Sequence, residues 1–154
     1  MQNIATKILF LLVYLFATNI YALEARITNM VDFDFGAVLT SAGTQEINAT
    51  VCAYSSGASA GYSIRANSLY PSGINFRLKH TTNAYYIKYK VFYDDVRNGS
   101  GALELNENIT LTGQTVSKTN CKNSYLKISI DGTELSSALS GLYQDTLSLT
   151  ITAN

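Results

Sequence analysis

Tyr85-Tyr86-Ile87-Lys88-Tyr89-Lys90-Val91-Phe92-Tyr93 alternates without a break. Tyr85, Ile87, Tyr89, Val91 and Tyr93 share one face, and Tyr86, Lys88, Lys90 and Phe92 share the other. A period of two in aromatic and β-branched residues is the pattern of a half-buried strand. The first face is expected in the core. The lysines keep the second wet and discourage edge pairing. Asp94-Asp95, read as turn acids, ends the run, and Asn98-Gly99-Ser100-Gly101 is a turn cluster.

The same period recurs on both sides. Upstream, Val31, Phe33 and Phe35 oppose Asp32 and Asp34, before Gly36 marks a bend or bulge. Glu46–Ala53 places Ile47, Ala49, Val51 and Ala53 on one face, and Tyr62–Ala66 reads as the next strand. Pro71-Ser72-Gly73 turns the chain into a short strand near Ile74–Leu78. Downstream, Ala102–Leu105 and Asn108–Leu111 read as short strands, and Tyr125–Ile130 turns Leu126, Ile128 and Ile130 inward. The last strand, Leu142–Thr152, sets Tyr143, Leu147, Leu149 and Ile151 against Thr146, Ser148, Thr150 and Thr152. Thr133–Ser140 has room for one helical turn. Seven or eight short strands with frequent turn signals predict an all-β, immunoglobulin-like β-sandwich in one domain.

The first 22 residues stand outside this pattern. Lys7 precedes an unbroken apolar run, Ile8–Ala17, and small residues follow at Ala22 and Ala25. This is the layout of a secretory signal peptide, and the run is shorter than the roughly 20 residues that span a bilayer. Cleavage is expected after Ala22, with Ala25 the alternative, leaving 23–154 as the domain. Export places Cys52 and Cys121, the two cysteines of the chain, in an oxidising compartment, where a structural disulfide is the default.

Composition excludes several classes. Lys and Arg total 11 against 11 Asp and Glu, and no basic run is visible, so no nucleic-acid partner is expected. Only 14% of residues are charged while 47% are hydrophobic, a β-rich extracellular balance. The chain has one histidine, His80, in Leu78-Lys79-His80-Thr81, and it is expected at the surface. No nucleophile motif accompanies it, so no catalytic residue is assigned. No metal site is expected, since two adjacent carboxylates supply too few ligands. The small-residue loop 55–61 lacks the Lys-Ser/Thr of a phosphate loop, and no cofactor is expected. Among the 11 tyrosines, Tyr86 and Tyr125, with Phe92, point away from the expected core. They form a candidate exposed aromatic patch suited to a glycan or another surface.

Four elements in order resemble spore coat protein U domains, which include the pilin subunits of archaic chaperone–usher fimbriae. They are Asp32-Phe33-Asp34-Phe35-Gly36, Ile47–Cys52 with Tyr62-Ser63-Ile64 after it, Ile87–Asp95, and Gly141-Leu142-Tyr143-Gln144-Asp145-Thr146-Leu147-Ser148-Leu149-Thr150-Ile151. The resemblance implies an immunoglobulin-like fold that lacks its last strand. A periplasmic chaperone fills the gap first, and a strand donated by a neighbouring fibre subunit fills it afterwards. The acceptor groove would be bordered by Tyr143, Leu147, Leu149 and Ile151, with Phe33 and Phe35. Only Leu23–Val31 precede the Phe-Gly element, too short for a usual donor strand, which implies a subunit at the end of a fibre. A free carbohydrate- or surface-binding adhesin module is the second expectation.

Overall fold

The computed structural model describes residues 23–34, 43–56, 61–95, 101–115 and 122–154. The expected signal peptide (residues 1–22), Phe35, Gly36 and Cys121 lie outside the described residues. The described residues form ten strands and one short helix, in order β1 (Ala25–Thr28), β2 (Gln45–Ser55), β3 (Gly61–Ser68), β4 (Phe76–His80), β5 (Tyr86–Asp94), β6 (Leu103–Leu105), β7 (Thr110–Thr115), β8 (Lys122–Ile130), α1 (Gly132–Ser136), β9 (Tyr143–Gln144) and β10 (Leu147–Ala153). Every strand pairing is antiparallel. The larger sheet runs β1-β2-β8-β5-β4-β9, with β6 beside the second half of β5, and the smaller runs β10-β3-β7. The fold is an all-β, immunoglobulin-like sandwich.

The core lies where the inward faces of the two sheets meet. Val51, Ile87, Val91, Leu126 and Ile130 from the larger sheet pack with Tyr62, Ile64 and Ala66 from β3. Leu149 and Ile151 of β10 close one side as partly buried residues. Tyr62 and Tyr93 reach across the core and their hydroxyls hydrogen-bond to each other, with the rings edge to face at 88°. Burial, then the neighbouring phenol, pushes the Tyr62 hydroxyl far above the usual tyrosine range, and burial raises Tyr93 as well.

Within β5, Ile87, Tyr89, Val91 and Tyr93 are buried as the alternation requires. Tyr85 is not: it sits one residue before the strand and is 54% exposed, since the tight connection from β4 ends outside the core. Asp94 is buried at the strand end rather than placed in the turn, opposite Tyr125 of β8. The helical turn appears as α1, whose Leu135 is buried.

Two expected strands are revised. Val31–Asp34 forms no ladder, although Phe33 is half-buried between exposed Asp32 and Asp34. Only Phe33 turns inward there, since Val31 is exposed like the aspartates, and no described strand lies alongside to pair with the segment. Asn29, with φ 59°, ends β1 and turns the chain toward this position. Second, Leu142–Thr152 is two strands. β9 pairs with β4 in the larger sheet, and β10 pairs with β3 in the smaller, so the chain crosses between layers at Asp145-Thr146.

Candidate functional site

The crossing at Asp145-Thr146 and the unladdered Val31–Asp34 segment face each other across a cleft of about 490 Å³. Phe33, Tyr143 and Leu147 line it, with Leu78, Tyr89, Ile128 and Ile130 from the larger sheet. Asp32, Asp34, Gln144, Asp145 and Thr146 line it too, so its walls mix apolar and polar groups. β10 pairs with β3 along its whole length, and among the described residues no strand pairs with its other edge. An extended segment entering the cleft would meet the start of this edge at Leu147, with Phe33, Leu78 and Tyr143 as apolar neighbours.

One carboxylate holds the crossing in shape. Asp145 Oδ2 accepts hydrogen bonds from the Ser68 hydroxyl at 2.7 Å and from the Tyr89 hydroxyl. Its Oδ1 accepts from the Leu69 backbone N–H at 3.0 Å. Asp145 thus ties the corner between β9 and β10 to the end of β3 and to the middle of β5. Burial, then the hydrogen-bonded Asp145 carboxylate, raises the Tyr89 hydroxyl far above the ordinary range, so it stays a donor. Glu107, itself buried, accepts from the Ser68 backbone N–H at 2.8 Å and fixes the same strand end from the other side.

The second fastening is His80, which corrects the expectation of a surface histidine. It is 5% exposed, because β9 covers the end of β4 and pairs Tyr143 with it. The Thr82 backbone N–H donates to Nδ1 at 3.1 Å, which makes Nδ1 the acceptor. Nε2 lies 3.3 Å from the Ser140 carbonyl and must carry the proton to bond there. The Tyr143 ring stands edge-on at 4.9 Å. Gly141 passes directly over the imidazole, where a Cβ would overlap the ring, and its φ of 148° also disfavours a side chain. Gly141, Tyr143, Asp145 and Leu147 therefore have distinct tasks: close passage over His80, cover of His80, the latch, and the groove wall.

The remaining expected residues divide. Leu149 and Ile151 lie farther along β10, partly buried against the core and outside the cleft. Phe35 lies outside the described residues. Cys52 is buried on β2, and its expected partner Cys121 is also outside them. β8 begins at Lys122, opposite Ala53, and its Asn123 stands opposite Cys52. Leu78 and Tyr89 were not expected in the groove. Their strand parity gives the inward direction, but only the sheet crossing shows that they border an opening.

The aromatic patch is split. Tyr86 is 39% exposed at the β4–β5 corner, under the Arg77 guanidinium. Phe92 lies under Lys127 toward the middle of the sheet, and Tyr125 donates to Asn48 Oδ1 at 2.6 Å on β8. Each ring is half covered by a neighbour rather than joined into one patch. Lys127 also pairs with Glu46 at 2.9 Å, and that hydrogen bond lowers the Glu46 carboxyl from its ordinary range.

No protein-family model matches the sequence, and no curated protein matches it. Solved structures do resemble the fold. One is a chain from a chaperone–tip adhesin complex of CFA/I fimbriae, with a TM-score of 0.59 and 16% identity over 84% of this chain and 41% of that one. Another is from the CsuC–CsuE chaperone–tip adhesion subunit pre-assembly complex of the archaic chaperone–usher Csu pili of Acinetobacter baumannii. Its TM-score is 0.52, with 18% identity over 84% of this chain and 39% of that one. This chain spans about two fifths of the length of each.

Proposed function

We propose that the protein is an exported structural subunit of a chaperone–usher fimbria, assembled by donor-strand complementation and placed at an end of the fibre. The observation that carries this is the cleft between Val31–Asp34 and Tyr143–Leu147, which reaches β10 at Leu147, where among the described residues the edge away from β3 has no paired strand. A periplasmic chaperone, and then a neighbouring subunit, would supply the strand that fills it. The likeness in fold to chains from chaperone–tip adhesin complexes supports the reading, as does the resemblance of four sequence elements to spore coat protein U domains. β1 is already spent on its own sheet, with Ala25 paired to Ser55 and Thr28 to Cys52. Described residues ahead of the groove thus complete the fold instead of serving another subunit, which favours the end position. The Cys52–Cys121 bridge belongs to the same reading.

The test is thermal stability of residues 23–154 with and without a fused C-terminal strand of alternating apolar residues. Four inserted aliphatic side chains contribute roughly 6–12 kcal/mol gross before ordering costs. Retaining even a third of that corresponds to a rise of roughly 6–12 °C for a domain of this size. An unfused monomer that is already stable, with no gain on fusion, would mean that the sandwich is complete.

A further inference from the structure

A chain with balanced charge need not have a balanced surface. On β4 and β5, Arg77 registers with Lys88 and Lys79 with Tyr86, so all four project from one side of the larger sheet. Lys90 is exposed on the same side. The Arg77 guanidinium lies 4.2 Å from the Tyr86 ring centroid, and the Lys79 ammonium 5.3 Å from that of Tyr70. The two rings meet edge to face at 6.2 Å. Arg77 is held in place: its Nε donates to the Tyr70 carbonyl at 3.1 Å and its Nη2 to the Pro71 carbonyl at 2.8 Å. Glu134 is the acid in contact with this corner, where its carboxylate accepts the Lys88 backbone N–H at 3.1 Å.

The corner combines two aromatic faces with three cations, one of them pre-ordered by backbone carbonyls. Cations stacked on rings stay close to an apolar surface instead of reaching into water. Tyrosine adds a hydroxyl tip to an apolar body at low entropy cost. We propose that this corner, made of Tyr70, Arg77, Lys79, Tyr86 and Lys88, binds an acidic polysaccharide. The tyrosines seat the C–H face of a sugar ring, and the cations hold its carboxylate or sulfate. A nucleic acid fits less well, because phosphate-backbone affinity grows with the number of neutralised charges and the patch is small. The site is independent of the assembly reading. Leu78 and Tyr89, on the same two strands, face the groove, so a donated strand leaves this outer face open.

The experiment measures binding of the purified, folded protein to immobilised alginate, which carries carboxylates, and to dextran sulfate, with neutral dextran as reference. Saturable binding to either acidic polymer above neutral dextran is expected, and the preferred polymer identifies the acid group. Tyr86→Ala and Lys79→Gln should each weaken it at least tenfold, with far-UV circular dichroism and Tm preserved. Arg26→Ala, the same charge loss at the β1 edge of the sheet, should change it less than twofold. The proposal is overturned by equal binding to neutral dextran, by equal losses for Arg26→Ala and Lys79→Gln, or by a DNA oligonucleotide binding as tightly as the acidic polymers. If Tyr86→Ala lowers Tm, Lys79→Gln at the polar rim decides alone.

Discussion

Replacing Asp145 with alanine tests whether the crossing between the two sheets is latched as the geometry indicates. Three donors lose an acceptor, but unequally. The Leu69 N–H also reaches the Thr146 carbonyl at 3.1 Å and is exposed, so its loss costs little. The Ser68 hydroxyl still accepts from the Tyr70 N–H at 3.0 Å and loses one bond, about 1 kcal/mol. The Tyr89 hydroxyl belongs to a side chain only 4% exposed and loses a charged partner, roughly 1.5–3 kcal/mol. The sum is about 2.5–4 kcal/mol, or roughly 10 °C in Tm for a domain of this size. Thermal melts followed by circular dichroism at pH 7 measure it. Tyr89→Phe removes the donor instead and is expected to cost about 1–2 kcal/mol. In the double variant Asp145→Ala should then cost only about 1–2 kcal/mol more, because the orphaned hydroxyl is already gone. A Tm for Asp145→Ala within about 2 °C of the parent, or strict additivity in the cycle, would refute the latch.

Alkali and reduction probe the core and the bridge. Tyr62, Tyr89 and Tyr93 all have hydroxyls raised above the ordinary range in the folded protein. Their contribution is fully present below the unfolded value near 10 and is lost as pH rises past it. Tyr62 and Tyr89 keep protons that the unfolded chain releases, so stability should fall by about 3 kcal/mol per pH unit above that point, with Tyr93 adding in the same direction. Urea midpoints from pH 9 to 11.5 check this, and a flat profile would contradict it. For the proposed Cys52–Cys121 bridge, which closes a loop of roughly 70 residues, reduction or Cys52→Ala is expected to cost about 4 kcal/mol. Unchanged urea midpoints with and without reductant would exclude it.

Much of the sandwich was legible because a strand's period is local. Ile87, Val91, Leu126 and Ile130 are buried as their parity requires. The exceptions share a cause. Tyr85 has the parity of the core but falls one residue outside the ladder, and His80 sits at a strand end that looks polar yet is roofed by β9. A residue at a strand end is buried or exposed according to what another part of the chain lays over it, which local alternation does not encode.

The groove shows the same division more sharply. The sequence by itself determined that Phe33, Tyr143 and Leu147 lie on apolar faces, and that Gly141-Leu142-Tyr143-Gln144-Asp145-Thr146-Leu147 is a distinctive segment. It also determined the lysine-bearing face of β5. Only the tertiary structure decided that this segment changes sheets at Asp145, that among the described residues no strand pairs with Val31–Asp34, and that Arg77, Lys79 and Lys88 meet Tyr70 and Tyr86 at one corner. Parity along a strand is fixed by neighbours two residues away, whereas register and layer are fixed by pairing with strands tens of residues distant. An opening between layers exists only where that distant pairing stops.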